Sequence, residues 1–201
     1  MLPRHLEFVG TSAFPLGCRA KFGTGAGRVD PSRGSRSPTQ KETPTLERTL
    51  VLLKPDAVQR HLIGAILARF EAKGLQIVGL QMRQFPVSLI ERHYEVHKER
   101  PFYANLVSFM TSGPVVAIAL QGVDAIEVTR NLVGATNSRK AAPGTIRGDL
   151  GMSFSNNLVH GSDSAESAAK ELALFFSGAD ELIDWTPVDQ VWAYNVAEEL
   201  A

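Results

Sequence analysis

Thr49-Leu50-Val51-Leu52-Leu53-Lys54-Pro55-Asp56 decides how the rest of the chain is laid out. Its apolar run is short and continuous, the pattern of a strand buried on both faces rather than one half-exposed. Pro55 and Asp56 stop it. Apolar residues return at helical spacing at Val58, Leu62, Ile63, Ile66, Leu67 and Phe70, closing on Lys73-Gly74, a basic residue followed by a C-terminal glycine. Residues 75–85 read as a second strand, with Val78, Leu80 and Met82 alternating. Two short helices follow over 88–97 and 101–110, the second opening with a proline. A third strand over 115–120 leaves the Ser112-Gly113-Pro114 turn, and a helix over 123–133 closes at Gly134. Residues 134–149 form a long polar loop without a period, and such loops in compact domains are usually functional. A short fourth strand ends near His160, and a last helix runs over 164–176, with Asp163 as its N-cap and Glu166 three residues on. This order predicts an α/β (α+β) fold: a ferredoxin-like βαββαβ antiparallel sheet with helices packed on it.

The composition agrees with a globular domain. The chain has 201 residues, 44% of them hydrophobic and 21% charged, enough for one self-supporting core. No apolar run approaches the ~20 residues that span a bilayer. Zero formal net charge argues against a general attraction to nucleic acid or anionic membranes. The single cysteine, Cys18, cannot close an internal disulfide, which points to a reducing, cytoplasmic compartment.

That neutrality hides an asymmetry. Residues 1–44 carry Arg4, Arg19, Lys21, Arg28, Arg33, Arg36 and Lys41 against Glu7, Asp30 and Glu42, and the remainder carries the balancing negative charge. Rich in Gly, Pro and Ser, they cannot bury enough apolar surface to offset ordering entropy. Residues 1–46 are therefore expected to be a flexible basic extension and 47–201 the folded domain. The extension is weakly like an organellar transit peptide, an alternative to a dispensable leader or an over-long start.

The chemistry concentrates in Asn157-Leu158-Val159-His160-Gly161-Ser162-Asp163. His160 stands directly before a glycine, expected to reverse the chain, and a helix start. Imidazole titrates near neutrality, so an unprotonated nitrogen is available without special activation. A lone histidine in such a place is more often a surface loop residue. Its company elsewhere in the chain overturns that reading.

Arg48 to Arg60, Arg100-Pro101-Phe102-Tyr103, Ser112-Gly113-Pro114-Val115-Val116, Gly134-Ala135-Thr136-Asn137, Pro143-Gly144-Thr145-Ile146-Arg147-Gly148-Asp149 and the histidine motif together resemble the nucleoside diphosphate kinase family. The resemblance runs from about Glu47 to Tyr194, essentially the whole folded part. It implies transfer of the γ-phosphoryl group of ATP to nucleoside diphosphates, deoxy forms included, by a ping-pong route through a phosphohistidine on His160. Phosphoryl transfer needs charge neutralised on phosphate oxygens more than acid–base chemistry, and the resemblance assigns that to Lys54, Arg130 and Arg147. It implies a hydroxyl donor in Thr136, a ribose contact from Asn157 together with Lys54, and a base platform in Phe102 that accepts purines and pyrimidines alike. Glu171 resembles the acid that orients the imidazole through its other nitrogen. Tyr94 matches the family tyrosine near the histidine, with site and core roles equally open. The resemblance also implies Mg2+ held mainly by the nucleotide phosphates, with Asp163 a candidate to position it, though an N-cap role explains Asp163 equally well. Family members are oligomers, so a homotetramer or homohexamer is expected, with residues 196–201 at a subunit boundary. Ser138, Ala135 and Asn156 depart from residues common in the family, and none of them removes a catalytic group.

Two patterns are decoys. Gly23-Thr24-Gly25-Ala26-Gly27 follows no strand and lacks the Gly-Lys-Ser/Thr end of a phosphate loop. Arg147-Gly148-Asp149 spells an adhesion tripeptide but belongs to the phosphate-binding loop. Two rival functions make different demands. A non-catalytic nucleotide-binding or regulatory relative predicts loss of His160, Lys54 or Arg147, and all three are present. A histidine phosphorelay module predicts a helix-borne histidine without nucleotide-contacting residues.

Overall fold

The computed structural model describes residues 46–188 and 190–195. All of the expected basic extension except Leu46, with Cys18 and the glycine decoy, lies outside the described residues, as do 196–201. Among the described residues the sheet is antiparallel throughout. Its strands are β1 (Leu46–Leu53), β2 (Gln76–Arg83), β3 (Val115–Val123) and β4 (Val159–Gly161), in the order β2-β3-β1-β4. The helices are α1 (Pro55–Gln59), α2 (Ile63–Ala72), α3 (Val87–His93), α4 (Tyr103–Met110), α5 (Ala125–Val133), α6 (Ile146–Leu150), α7 (Ala165–Phe175) and α8 (Gln190–Ala193). The architecture is the ferredoxin-like sheet that the element order predicts.

The apolar run of β1 is buried on both sides because helices cover both faces. Successive strand side chains point in opposite directions. Leu50 and Leu52 pack with Ile90 of α3, Val107 and Met110 of α4 and Phe175 of α7. Val51 and Leu53 pack with Ala57, Ile66 and Phe70 of α1 and α2, Val133 of α5 and Ile146 of α6. All four β1 residues are fully buried, and such a side chain stabilises the fold by about 1.5–3 kcal/mol. β3 runs antiparallel to β1 from Leu46↔Val123 to Leu53↔Val116. β4 pairs on the other side, placing His160 opposite Leu52. Directly opposed residues share a face, so His160 belongs to the α3/α7 side.

The structure corrects several sequence-based boundaries. The apolar period through Val58 and Leu62 suggests one helix, but the chain breaks between α1 and α2, where His61 takes a left-handed φ of 57°. The polar loop over 134–149 contains a 3-10 turn at Ser138–Lys140 and the start of α6. Thr145 caps α6, its side chain accepting from the Gly148 N–H at 3.0 Å. The N-cap of α7 is Ser164, not Asp163: the Ser164 hydroxyl accepts from the Ser167 N–H at 3.1 Å.

Candidate active site

β1 ends at the floor of a cleft of about 1310 Å3 lined by Lys54, Tyr94, Phe102, Arg130, Thr136, Arg147, Asn157, His160, Asp163 and Glu171. Every site residue expected from the sequence thus opens onto the same cavity, although Lys54 and Glu171 lie more than a hundred residues apart.

His160 is fixed from behind. Its Nε2 faces both carboxylate oxygens of Glu171, at 3.0 and 3.1 Å. A carboxylate only accepts, so this pairing places the ring proton on Nε2 and leaves the lone pair on Nδ1. Glu171 is held in turn: the Ser162 hydroxyl donates to its Oε2 at 2.6 Å. Ser162 is anchored to β1, its backbone N–H donating to the Leu50 carbonyl at 3.1 Å. The sequence reading missed Ser162, although it lies two residues past the histidine on the same side of the chain.

The backbone before His160 is unusual. Leu158 has a φ of 70°, rare for a branched side chain. The Val159 N–H donates to the Asn157 carbonyl across it at 2.8 Å, forming a γ-turn of the strained, positive-φ kind. The turn that follows β1 clamps it: Lys54 N–H donates to the Leu158 carbonyl at 2.9 Å, and Leu158 N–H donates to Asp56 Oδ2 at 3.1 Å.

This clamp brings the polar side chains together. Lys54 is 7% exposed, and its Nζ donates to Asn157 Oδ1 at 2.7 Å. Asn157 Nδ2 donates to the Thr136 carbonyl at 2.9 Å. Burial, and secondarily the Arg147 charge, lower the Lys54 pKa to about 8. Arg147 reaches the carbonyls of Gly134, Asn157 and Val159 at 2.8, 3.2 and 2.6 Å, tying the loop to the strand. Burial first and Arg130 second lower its pKa to about 10, so it stays charged at neutral pH. Arg130 is exposed at the end of α5, and Gly134 just beyond it takes a φ of 82°. A Cβ on Gly134 would stand 2.4 Å from the capping Thr145 Oγ1, so only glycine lets the two loops meet.

The outer wall is aromatic. Phe102 is half-exposed beside His97, with ring centroids 5.6 Å apart. Phe154 is also exposed and lines the cleft, though the sequence reading passed over it. Tyr94 is buried, with its ring 6.2 Å from that of His160. Burial and then the Glu171 charge push its phenol pKa well above the usual range. Asp163 is free of the capping role and exposed at the cleft, where the Ser167 hydroxyl holds its carboxyl below the usual range.

A conserved-family profile described as nucleoside diphosphate kinase matches residues 47–181. The chain belongs to the nucleoside diphosphate kinase family. It is accordingly an enzyme, with nucleoside diphosphate kinase activity. A nucleoside diphosphate kinase of Synechococcus elongatus is 53% identical over 150 residues, covering 75% of this chain and 100% of that protein. One from Archaeoglobus fulgidus is 51% identical over 150 residues, covering 75% and 99%. Among solved structures, a halophilic nucleoside diphosphate kinase from Halobacterium salinarum in complex with CDP is 48% identical. It aligns with a TM-score of 0.72 over 75% of this chain and 99% of that one. A family protein from Babesia bovis is 44% identical with a TM-score of 0.71, covering 74% and 99%. Among the described residues no helix is long and apolar enough to cross a membrane.

Proposed function

We propose that His160 carries the phosphoryl group between two nucleotides. The Nδ1 lone pair attacks the γ-phosphorus of ATP, a P–N bond forms, and the bond to the bridging oxygen breaks, with that electron pair leaving on the diphosphate. After exchange, a terminal oxygen of a second nucleoside diphosphate attacks the phosphohistidine, and the P–N pair returns to Nδ1. The observation that carries this reading is the Glu171 carboxylate at 3.0 Å from Nε2. It fixes the tautomer and stabilises the ring as Nδ1 takes up charge on attack.

Lys54, Arg130 and Arg147 supply cations for the phosphate oxygens, and Thr136 supplies a hydroxyl. Because Lys54 and Asn157 are already paired at 2.7 Å, their orientation toward a ribose is set before it arrives. Phe102 provides a stacking face that reads no base edge, which suits ATP donors and varied diphosphate acceptors. CDP in the Halobacterium salinarum relative supports a nucleotide in this cleft.

Mg2+ fits this site as an ion held by phosphate oxygens. Asp163 offers the cleft an exposed carboxylate, whereas the cluster of His93, His160 and Glu171 has the nitrogen ligands that Mg2+ avoids. When bound, Mg2+ neutralises charge on the diphosphate oxygens. Within the same reading, residues 47–201 are the catalytic unit, 1–46 an extension outside it, and the location cytoplasmic. The assembly is a homotetramer or homohexamer, supported by Leu80 and Met82 left exposed on the edge strand β2. Light scattering at known concentration separates the two assemblies.

Incubation with γ-labelled ATP and Mg2+, removal of nucleotide and addition of unlabelled GDP tests the mechanism. Label should appear on His160, be acid-labile and base-stable, and move to GTP. Labelling undiminished by His160→Ala overturns it.

A further inference from the structure

His93 is the last residue of α3, and phosphoryl transfer as described has no use for it. Its side chain is 1% exposed, yet neither ring nitrogen has a hydrogen-bond partner. A buried polar group left without a partner is a cost that a bound ligand would relieve. Its Nδ1 lies 3.7 Å from Glu171 Oε1, too far for a hydrogen bond, and its ring packs edge-on to that of His160 with centroids 4.7 Å apart.

One carboxylate oxygen, Glu171 Oε1, therefore lies between two imidazoles, bonded to one and within 3.7 Å of the other. The three donor atoms lie within 4.8 Å of one another. Ligands at about 2.0–2.1 Å from a tetrahedral ion stand about 3.3 Å apart, so a small rotation of the His93 ring completes the set. Two imidazole nitrogens with one carboxylate suit a borderline transition metal and leave a fourth position open to the cleft. Ser162, donating to Oε2, leaves Oε1 to face the ion, as orienting hydrogen bonds do for ligating carboxylates.

We propose that His93, Glu171 and His160 form a binding site for Zn2+ at the back of the catalytic cleft, and that its occupation switches off phosphorylation of His160. The Nε2 proton moves to Nδ1 through solvent, the metal takes the Nε2 lone pair that this frees and removes the support of Glu171, and Nδ1 is left protonated, without the pair that attacks phosphorus. Binding stands on the geometry alone, whereas the inhibition rests on the phosphohistidine reading.

The full chain, titrated with Co2+ as a spectroscopic probe, tests both parts separately. The wild type should bind one Co2+ more than His93→Gln, with the intense visible bands of four-coordinate cobalt, and Zn2+ should abolish them. Zn2+ should lower the initial rate of His160 labelling at least tenfold, reversed by a zinc-selective chelator with Mg2+ in excess. His93→Gln should raise the half-inhibiting Zn2+ concentration at least tenfold. Equal Co2+ stoichiometry and spectrum in wild type and variant overturn the site. Should the variant not fold, Co2+ must selectively broaden the ring-proton resonances of His93 and His160 in the wild type, and unaffected resonances overturn the site. If metal-free enzyme never labels His160, the phosphohistidine reading fails, while the cobalt spectrum still decides the metal site.

Discussion

Asp56, one turn past the end of β1, accepts the backbone N–H of Leu158 at 3.1 Å and so holds open a left-handed turn two residues before His160. A non-glycine residue in that region costs on the order of 1–3 kcal/mol and persists only where its surroundings enforce it. Leu158 is fully buried, so its side chain supplies what its backbone gives up.

That relationship reverses a usual order. In regular structure glycine is less stable than alanine by roughly 0.5–1 kcal/mol. Here Leu158→Ala should lose about 2–5 kcal/mol from the cavity, and Leu158→Gly should be more stable than Leu158→Ala by about 1 kcal/mol, because glycine adopts φ 70° freely. Urea denaturation of the two variants checks the order, and alanine being the more stable contradicts it.

Glu171→Gln keeps the shape but removes the charge behind Nε2 of His160. The rate of His160 labelling should fall on the order of 10²-fold, with KM for nucleotide little changed. Rapid-quench measurement of phosphoenzyme formation decides it. A loss confined to KM would place Glu171 in substrate binding instead.

Lys54 gives the enzyme an alkaline limit. Its charge is lost as pH rises through about 8, so kcat/KM for ATP should fall above that pH. A Lys54→Gln variant, slower throughout, should lack the limb. For stability the sign is opposite. The unfolded lysine keeps its proton to its ordinary value near 10.5, so the unfolded state binds more protons between pH 8 and 10.5. The buried charge is a penalty below pH 8 that is relieved as pH rises through this window. The Tm of wild type relative to Lys54→Gln should therefore rise over it.

Arg147→Lys should be destabilising by about 3–5 kcal/mol. It replaces a planar group donating to three carbonyls with a point charge that cannot reach all of them. Chemical denaturation measures the loss, and a change below 1 kcal/mol contradicts the structural role.

Ser164→Ala should remove about 1 kcal/mol by uncapping α7, whereas Asp163→Ala should not. Thermal unfolding of the pair tests the corrected cap. An equal loss in both variants refutes it.

Much of this was legible in the sequence because it is periodic or sits in a contiguous motif. The unbroken Leu50–Leu53 run announces a strand covered on both faces, and Lys54, Arg147, Asn157 and His160 lie in motifs that the family resemblance reads residue by residue. The rest depends on contacts that no local pattern carries. The break between α1 and α2 is invisible because Val58 and Leu62 keep the helical period while His61 takes a conformation usually flagged by glycine. α6 is five residues long and hides in a polar loop. Asp163 and Ser164 are equally good caps by residue type, and only the backbone chooses. His93 falls inside the helix predicted over 88–97 with nothing to mark it, until folding puts it against His160 and Glu171.

The two-sided burial of β1 has a kinetic meaning. Since one strand belongs to both apolar layers and ends in Lys54, neither layer can be completed without the other, and the cleft cannot close before both have docked. Refolding chains should therefore regain secondary structure ahead of catalysis, and enzyme activity becomes a clock for the last step of assembly rather than the first.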